Sequence, residues 1–178
     1  MKPIFKKIGI IAIITVGIIY IMMLYMKNSI SKSDIDLILE NQKIMFIVSV
    51  SSYEETYAAG YFIDSNGKKH IYKLNDRQPF RSIGETYEYL LKHYDEFETK
   101  DYFDDITLKK CVRHLYCVNK DANVMEKGEV IIDAPEITLY GIRQKNDQEE
   151  FVWLGSECGI SKKLDDPSAY WILDELEK

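Results

Sequence analysis

Nineteen consecutive positions, 8–26 (IGIIAIITVGIIYIMMLYM), carry no charge, and no polar face interrupts them. Beyond residue 33 the pattern changes, and apolar residues come in short periodic groups separated by Asp, Asn, Gly and Ser. A helix over the first stretch would be roughly 28 Å long, close to the hydrocarbon thickness of a bilayer. Tyr20 and Tyr25 fall toward one end of it, where a phenol sits at headgroup level. A core helix of a small domain would keep a polar side. A cleaved secretory leader would be shorter and would end in a small-residue site, which YMKNSISKS does not supply. The run predicts a membrane-spanning signal-anchor over 1–27, followed by a short linker over 28–33.

Period alternates along the rest of the chain, 34–178. SDIDLILENQ reads as a short helix capped by Ser33 or Asp34, and KIMFIVSVSS, 43–52, as a strand. YAAGYFID and KKHIYKL flank Ser65-Asn66-Gly67, a turn whose residues accept left-handed conformations, and so predict a hairpin. Ser82 and Glu85 stand at capping-box spacing, and Ile83, Tyr87, Leu90, Leu91, Tyr94 and Phe97 recur at helical spacing behind them. A further helix starts near Asp104 and Asp105 and runs through ITLKKCVRHLYCV. GEVIID, EITLYGIRQ and EEFVWLGSE are strand-like, the last two forming a second hairpin. A final helix is capped by Asp165 or Asp166, with Pro167 in its first turn and Ala169, Ile172, Leu173 and Leu176 on its buried face. The expected fold class is α+β: one domain with an antiparallel sheet, two hairpins and three to four helices on one face.

Charge narrows the function classes. All 29 acids and 19 of the 23 bases lie beyond residue 27, so that part carries a formal charge of −10. Such a surface disfavours nucleic acid and anionic lipid. Lys2, Lys6 and Lys7 precede the apolar run and only Lys27 and Lys32 follow it closely. The basic end stays cytoplasmic, which places the domain outside the cytoplasm in a single-pass cell-membrane protein.

One stretch resembles a chemical site: CVRHLYC, 111–117. On a helix whose core face is Leu108, Val112 and Leu115, Cys111 lies at the edge of that face. His114 then lies about 120° and Cys117 about 180° away from Leu108. Cys111 and Cys117 are separated by about 9 Å of helical rise, too far for a disulfide or for a shared tetrahedral metal. A third ligand would have to come from Cys158, His70 or His93, and no CxxC pair is present. Three reduced cysteines, with Cys111 packed as an apolar side chain, are expected ahead of a Cys117–Cys158 bridge, the favoured pairing if one forms.

No nucleophile elbow, phosphate loop, dinucleotide fingerprint or HExxH motif occurs. The run DEFETKDYFDD, 95–105, holds six acids and one lysine and reads as a solvated linker leading into a helix. Glu54-Glu55 and Glu149-Glu150 read as loop charges. Candidate interaction aromatics are Tyr53 and Tyr57 in SSYEETYAAGY and Trp153 in a loop over WLGSECG. The expectation is a membrane-anchored, non-enzymatic interaction or accessory domain, immunity-like in one version, that meets a basic protein partner without cofactor or metal. A small-molecule or cell-envelope ligand binder is the alternative. A hydrolase is third and would need a cleft where His70, His93 or His114 meets Asp, Glu or Cys.

Overall fold

The computed structural model describes residues 30–51, 58–74, 82–119, 136–146, 148–157 and 166–176. Apart from Ile30 these belong to one compact unit, Ser31–Lys178. The apolar run 8–26 lies outside the described residues, as do the strand expected over GEVIID, Tyr53, Tyr57 and Cys158. Among the described residues no helix is long and apolar enough to cross a membrane.

The unit is α+β, with a six-stranded antiparallel sheet and four α-helices among the described residues. Helix α1 (Lys32–Asn41) starts two to three residues earlier than expected. Its N-cap is Ser31, whose hydroxyl accepts the Asp34 N–H at 3.2 Å, while Asp34 Oδ2 accepts the Ser31 N–H at 3.3 Å. Asp34 is therefore the third helical residue of a capping box, and the linker ends at residue 30.

Strands β1 (Ile44–Ser51), β2 (Ala58–Asp64) and β3 (Lys68–Leu74) form a meander. At the β2–β3 turn the Gly67 N–H returns to the Asp64 carbonyl at 3.1 Å, and Gly67 alone takes the left-handed conformation, with φ +78°. Helix α2 (Ile83–Lys92) carries the expected Ser82–Glu85 capping box. The apolar stripe expected to extend it instead breaks at His93 into a 3-10 turn (Tyr94–Glu96) and then a strand, β4 (Glu98–Tyr102). The reading of 95–105 as linker thus fails over 98–102. The backbone there pairs with β3, and the Phe103 N–H reaches the Gly67 carbonyl at 2.7 Å.

Helix α3 (Asp105–Cys117) is capped by Asp104, whose carboxylate accepts the Ile106 and Thr107 N–H groups at 3.0 Å. Strands β5 (Glu136–Lys145) and β6 (Gln148–Glu157) form the second hairpin, turning through Asn146 at φ 52°. Helix α4 (Pro167–Leu176) is capped by Asp166, which accepts from Ser168 and Ala169 N–H.

Strand order is β4-β3-β2-β1-β5-β6, which puts β1 in the middle. Ile44 through Val48 are all buried, as a strand covered on both faces requires. The helices accordingly lie on both faces, not one. Tyr87 and Leu90 of α2 pack with Ile47, Phe62, Tyr72 and Ile142. The neighbour of Ile142, Gly141, faces the other way and meets Leu115 of α3. The α4 end lies on that second face too, where Tyr61 Oη donates to the Leu176 carbonyl at 3.4 Å. Helix α1 joins the α3 side through Lys109, which bridges Asp36 at 2.9 Å and Asp105 at 3.0 Å.

Candidate functional site

Among the described residues, two polar clusters bring a histidine together with side chains from other elements. The first grows from the β2–β3 hairpin. Its three-residue turn sets Phe62 opposite His70 and leaves Asp64 at the corner. Asp64 Oδ1 accepts the N–H groups of Asn66 and Lys68, both at 2.8 Å. Asp64 Oδ2 accepts from His70 Nε2 at 3.2 Å and from the Tyr94 hydroxyl in a short hydrogen bond. Four donors fill the four lone-pair directions of a carboxylate. Since a carboxylate only accepts, His70 carries its proton on Nε2, and Nδ1 accepts from Thr99 Oγ1 at 3.3 Å. The His70 ring stacks on Phe62 at 4.7 Å and 9°. Lys43 Nζ stands 3.8 Å above the Tyr94 ring. Burial, and then the Asp64 carboxylate, push the Tyr94 hydroxyl well above its ordinary range.

This chain of Thr99, His70, Asp64 and Tyr94 has the parts of an acid–base relay. Its two central members are closed off from solvent, Asp64 fully buried and His70 4 % exposed, while Thr99 and Tyr94 at its ends are half-buried. What it does is join the hairpin turn, β3, the 3-10 turn and β4 at one point. The sequence set Asp64 at the end of the first hairpin strand and named His70 only as one of several possible ligands or cleft residues. The missing signal was the register, which the turn length contains.

The second cluster lies where the end of α3 meets the start of α4. His114, expected to face outward, is half-buried: its ring stacks on Trp171 at 4.3 Å, and Nδ1 lies 3.2 Å from Ser168 Oγ. Packing of α4 covers the side of α3 that a wheel drawn from Leu108, Val112 and Leu115 leaves open. Burial, and then the Arg113 charge, lower the His114 pKa from its ordinary 6.5, with Asp166 opposing. A serine beside a histidine suggests a nucleophile and base. The N–H groups that would hold an oxyanion there, those of Ser168 and Ala169, are already bound to Asp166. Asp166 also accepts the Asn119 N–H at 2.9 Å and so ties the end of α3 to the start of α4.

Cys111 is buried, and burial followed by the Glu175 and Asp104 charges pushes its thiol up to about 12. Cys117 is half-buried, and burial then Asp166 raise its thiol as well. The proposed partner of Cys117, Cys158, lies outside the described residues. His93, the residue before Tyr94, turns away from the Asp64 cluster: it pairs with Glu96 at 2.9 Å and its ring stacks on Tyr89 at 4.4 Å. Among the described residues no three His, Cys, Asp or Glu side chains stand together to hold a metal ion.

Two sequence readings need correction. The strand expected over EEFVWLGSE forms as β6, so Trp153 does not lie in a loop over WLGSECG but within that strand, half-buried and opposite Tyr140. Glu149 and Glu150 are also strand residues. Glu149 accepts from Tyr87 Oη at 2.7 Å, and Glu150 accepts from Arg143 Nε at 2.7 Å. Arg143, buried, turns its Nη1 to the Leu115 and Val118 carbonyls, both at 2.9 Å, and so closes the C-terminal end of α3. Compared with family models, curated proteins and solved structures, the chain matches none.

Proposed function

We propose that the chain is a single-pass membrane protein whose acidic extracytoplasmic domain acts by contacting a basic protein partner, without catalysis of its own. The observation that carries this reading is the division of charge along the sequence: 19 consecutive uncharged residues, 8–26, enough for a helix to span a bilayer, are followed by a strongly acidic remainder. Its formal charge of −10 beyond residue 27 suits a basic partner and resists adsorption to anionic lipid. The histidine best placed for chemistry, His70, spends both ring nitrogens inside the fold. An accessory or immunity-like protein fits this description.

The test is a single cysteine placed at Tyr102, which is 70 % exposed, in a chain with Cys111, Cys117 and Cys158 changed to serine. A membrane-impermeant maleimide is expected to label it in intact cells. Labelling that needs permeabilised cells overturns the topology. Release of the chain from membranes by alkaline carbonate overturns the anchor.

A further inference from the structure

The two ends of the sheet are unlike. At the β6 end, Val152, Leu154, Gly155 and Ser156 are buried. At the β4 end, four of the five residues Glu98–Tyr102 are exposed, Tyr102 by 70 %. Among the described residues β4 is a terminal strand, paired with β3 along one edge, and such a strand presents the N–H and C=O groups of its other edge, which an added strand can take. Acids outnumber bases at this edge: Asp95, Glu96, Glu98, Asp101, Asp104 and Asp105 are all exposed, while the bases beside them among the described residues are Lys100, Lys68 and Lys69 on β3 opposite Tyr102 and Asp101, and Lys109 at Asp105.

We propose that β4 is the docking edge for an extended basic segment of a partner polypeptide, added as a seventh strand. Charge selects the occupant. A second copy pairing β4 to β4 would set two acidic runs side by side, and like charges opposite one another destabilise a strand pair. A lysine- or arginine-bearing strand would instead meet Glu98 and Asp101, with its apolar residues against the Tyr102 ring. Glu96, Glu98, Asp104 and Asp105 have local partners in His93, Lys100 at 3.9 Å, the α3 amides and Lys109, all on or near the surface, and the six acids still exceed the bases beside the edge. The Thr99 bond to His70 holds the strand in place from its inner side. The proposal rests on the partner-contact reading above and names its surface.

The test uses the full chain in phosphatidylcholine nanodiscs, whose neutral lipid does not attract a basic probe. The probe is a fluorescent eight-residue peptide of alternating lysine and valine, followed by anisotropy at low salt. Saturable binding is expected, weakened about tenfold or more when the four central amides are N-methylated. The same loss is expected in Glu98→Lys/Asp101→Lys, both exposed positions. Equal binding of the methylated peptide, equal binding of a glutamate–valine peptide, or no binding overturns the proposal. In cells, p-benzoylphenylalanine at Tyr102 is expected to crosslink a partner protein. Crosslinks from Tyr170 on α4 but not from Tyr102 would overturn the edge and keep the partner-contact reading. Crosslinks from neither would overturn both.

Discussion

The side chain of Leu115 fills the space that a Cβ at position 141 would need. Such an atom would stand 3.0 Å from Leu115 Cδ2 and closer still to Cδ1, so Gly141 is what lets α3 settle onto the sheet. Gly141→Ala is expected to cost about 1–3 kcal/mol by overpacking. Leu115→Ala should cost about 2–5 kcal/mol by leaving a cavity. The double variant should be more stable than the sum predicts, by about 0.5–3 kcal/mol, because the new methyl group fills part of the space the leucine left. Urea unfolding followed by circular dichroism measures all three, and strict additivity would contradict the contact.

Asp64 collects four donors from four places in the chain. Asp64→Ala orphans them and should cost about 3 kcal/mol or more. Asp64→Asn has a subtler outcome. The carboxamide oxygen keeps the two turn N–H groups, and its NH2 donates to His70 Nε2. The imidazole proton then moves to Nδ1 and is donated to Thr99. Nitrogen chemical shifts of His70 read the tautomer directly, and an unchanged Nε2–H form in this variant would contradict the arrangement.

His114 gives the fold a dependence on mild acid. Its folded pKa is below the ordinary 6.5, so as pH falls the unfolded chain takes up this proton first. Stability is complete above the unfolded value, falls as pH drops below about 6.5, and levels off under the folded value. His114→Gln should flatten the loss between pH 7 and pH 5, with His70 and His93 common to both proteins. Urea midpoints at the two pH values decide it, and a wild-type chain that gains stability on acidification no less steeply than the variant would refute the sign.

Cys111 should behave as a core residue in a kinetic assay. Its thiol is buried and pushed up to about 12, so almost no thiolate exists at neutral pH. With Cys117 and Cys158 changed to serine, its alkylation by iodoacetamide should proceed only through unfolding and accelerate with urea in step with the unfolded population. Fast labelling of the native chain would contradict the packing.

Much of the fold is legible in the sequence because caps and turns are local devices. Ser82 with Glu85, Asp104, Pro167 after Asp166, and Gly67 all act over four residues or fewer, and each does what its type requires. Strand β4 is not legible, since ETKDY has no apolar alternation. Its position comes from backbone pairing with β3 and from the Thr99 bond to His70, neither of which leaves a pattern in composition. The same holds for His114 and Arg143, whose surroundings depend on elements far along the chain. The apolar stripe through Tyr94 and Phe97 misled for another reason. Those rings do pack on Phe62, but from a 3-10 turn and the residue after it rather than from a longer helix.

The central place of β1 sets a problem of timing. Its first neighbour, β2, follows within seven residues, while its second, β5, begins only at Glu136. A ribosome adding about 5–20 residues per second needs several seconds to make that interval. Until then IMFIVSVS, the most apolar of the described strands, waits with one side unpaired. Biogenesis of this chain therefore includes a window in which a holding chaperone has a defined target, and shortening the delay by moving β5 forward through circular permutation should reduce its dependence on one.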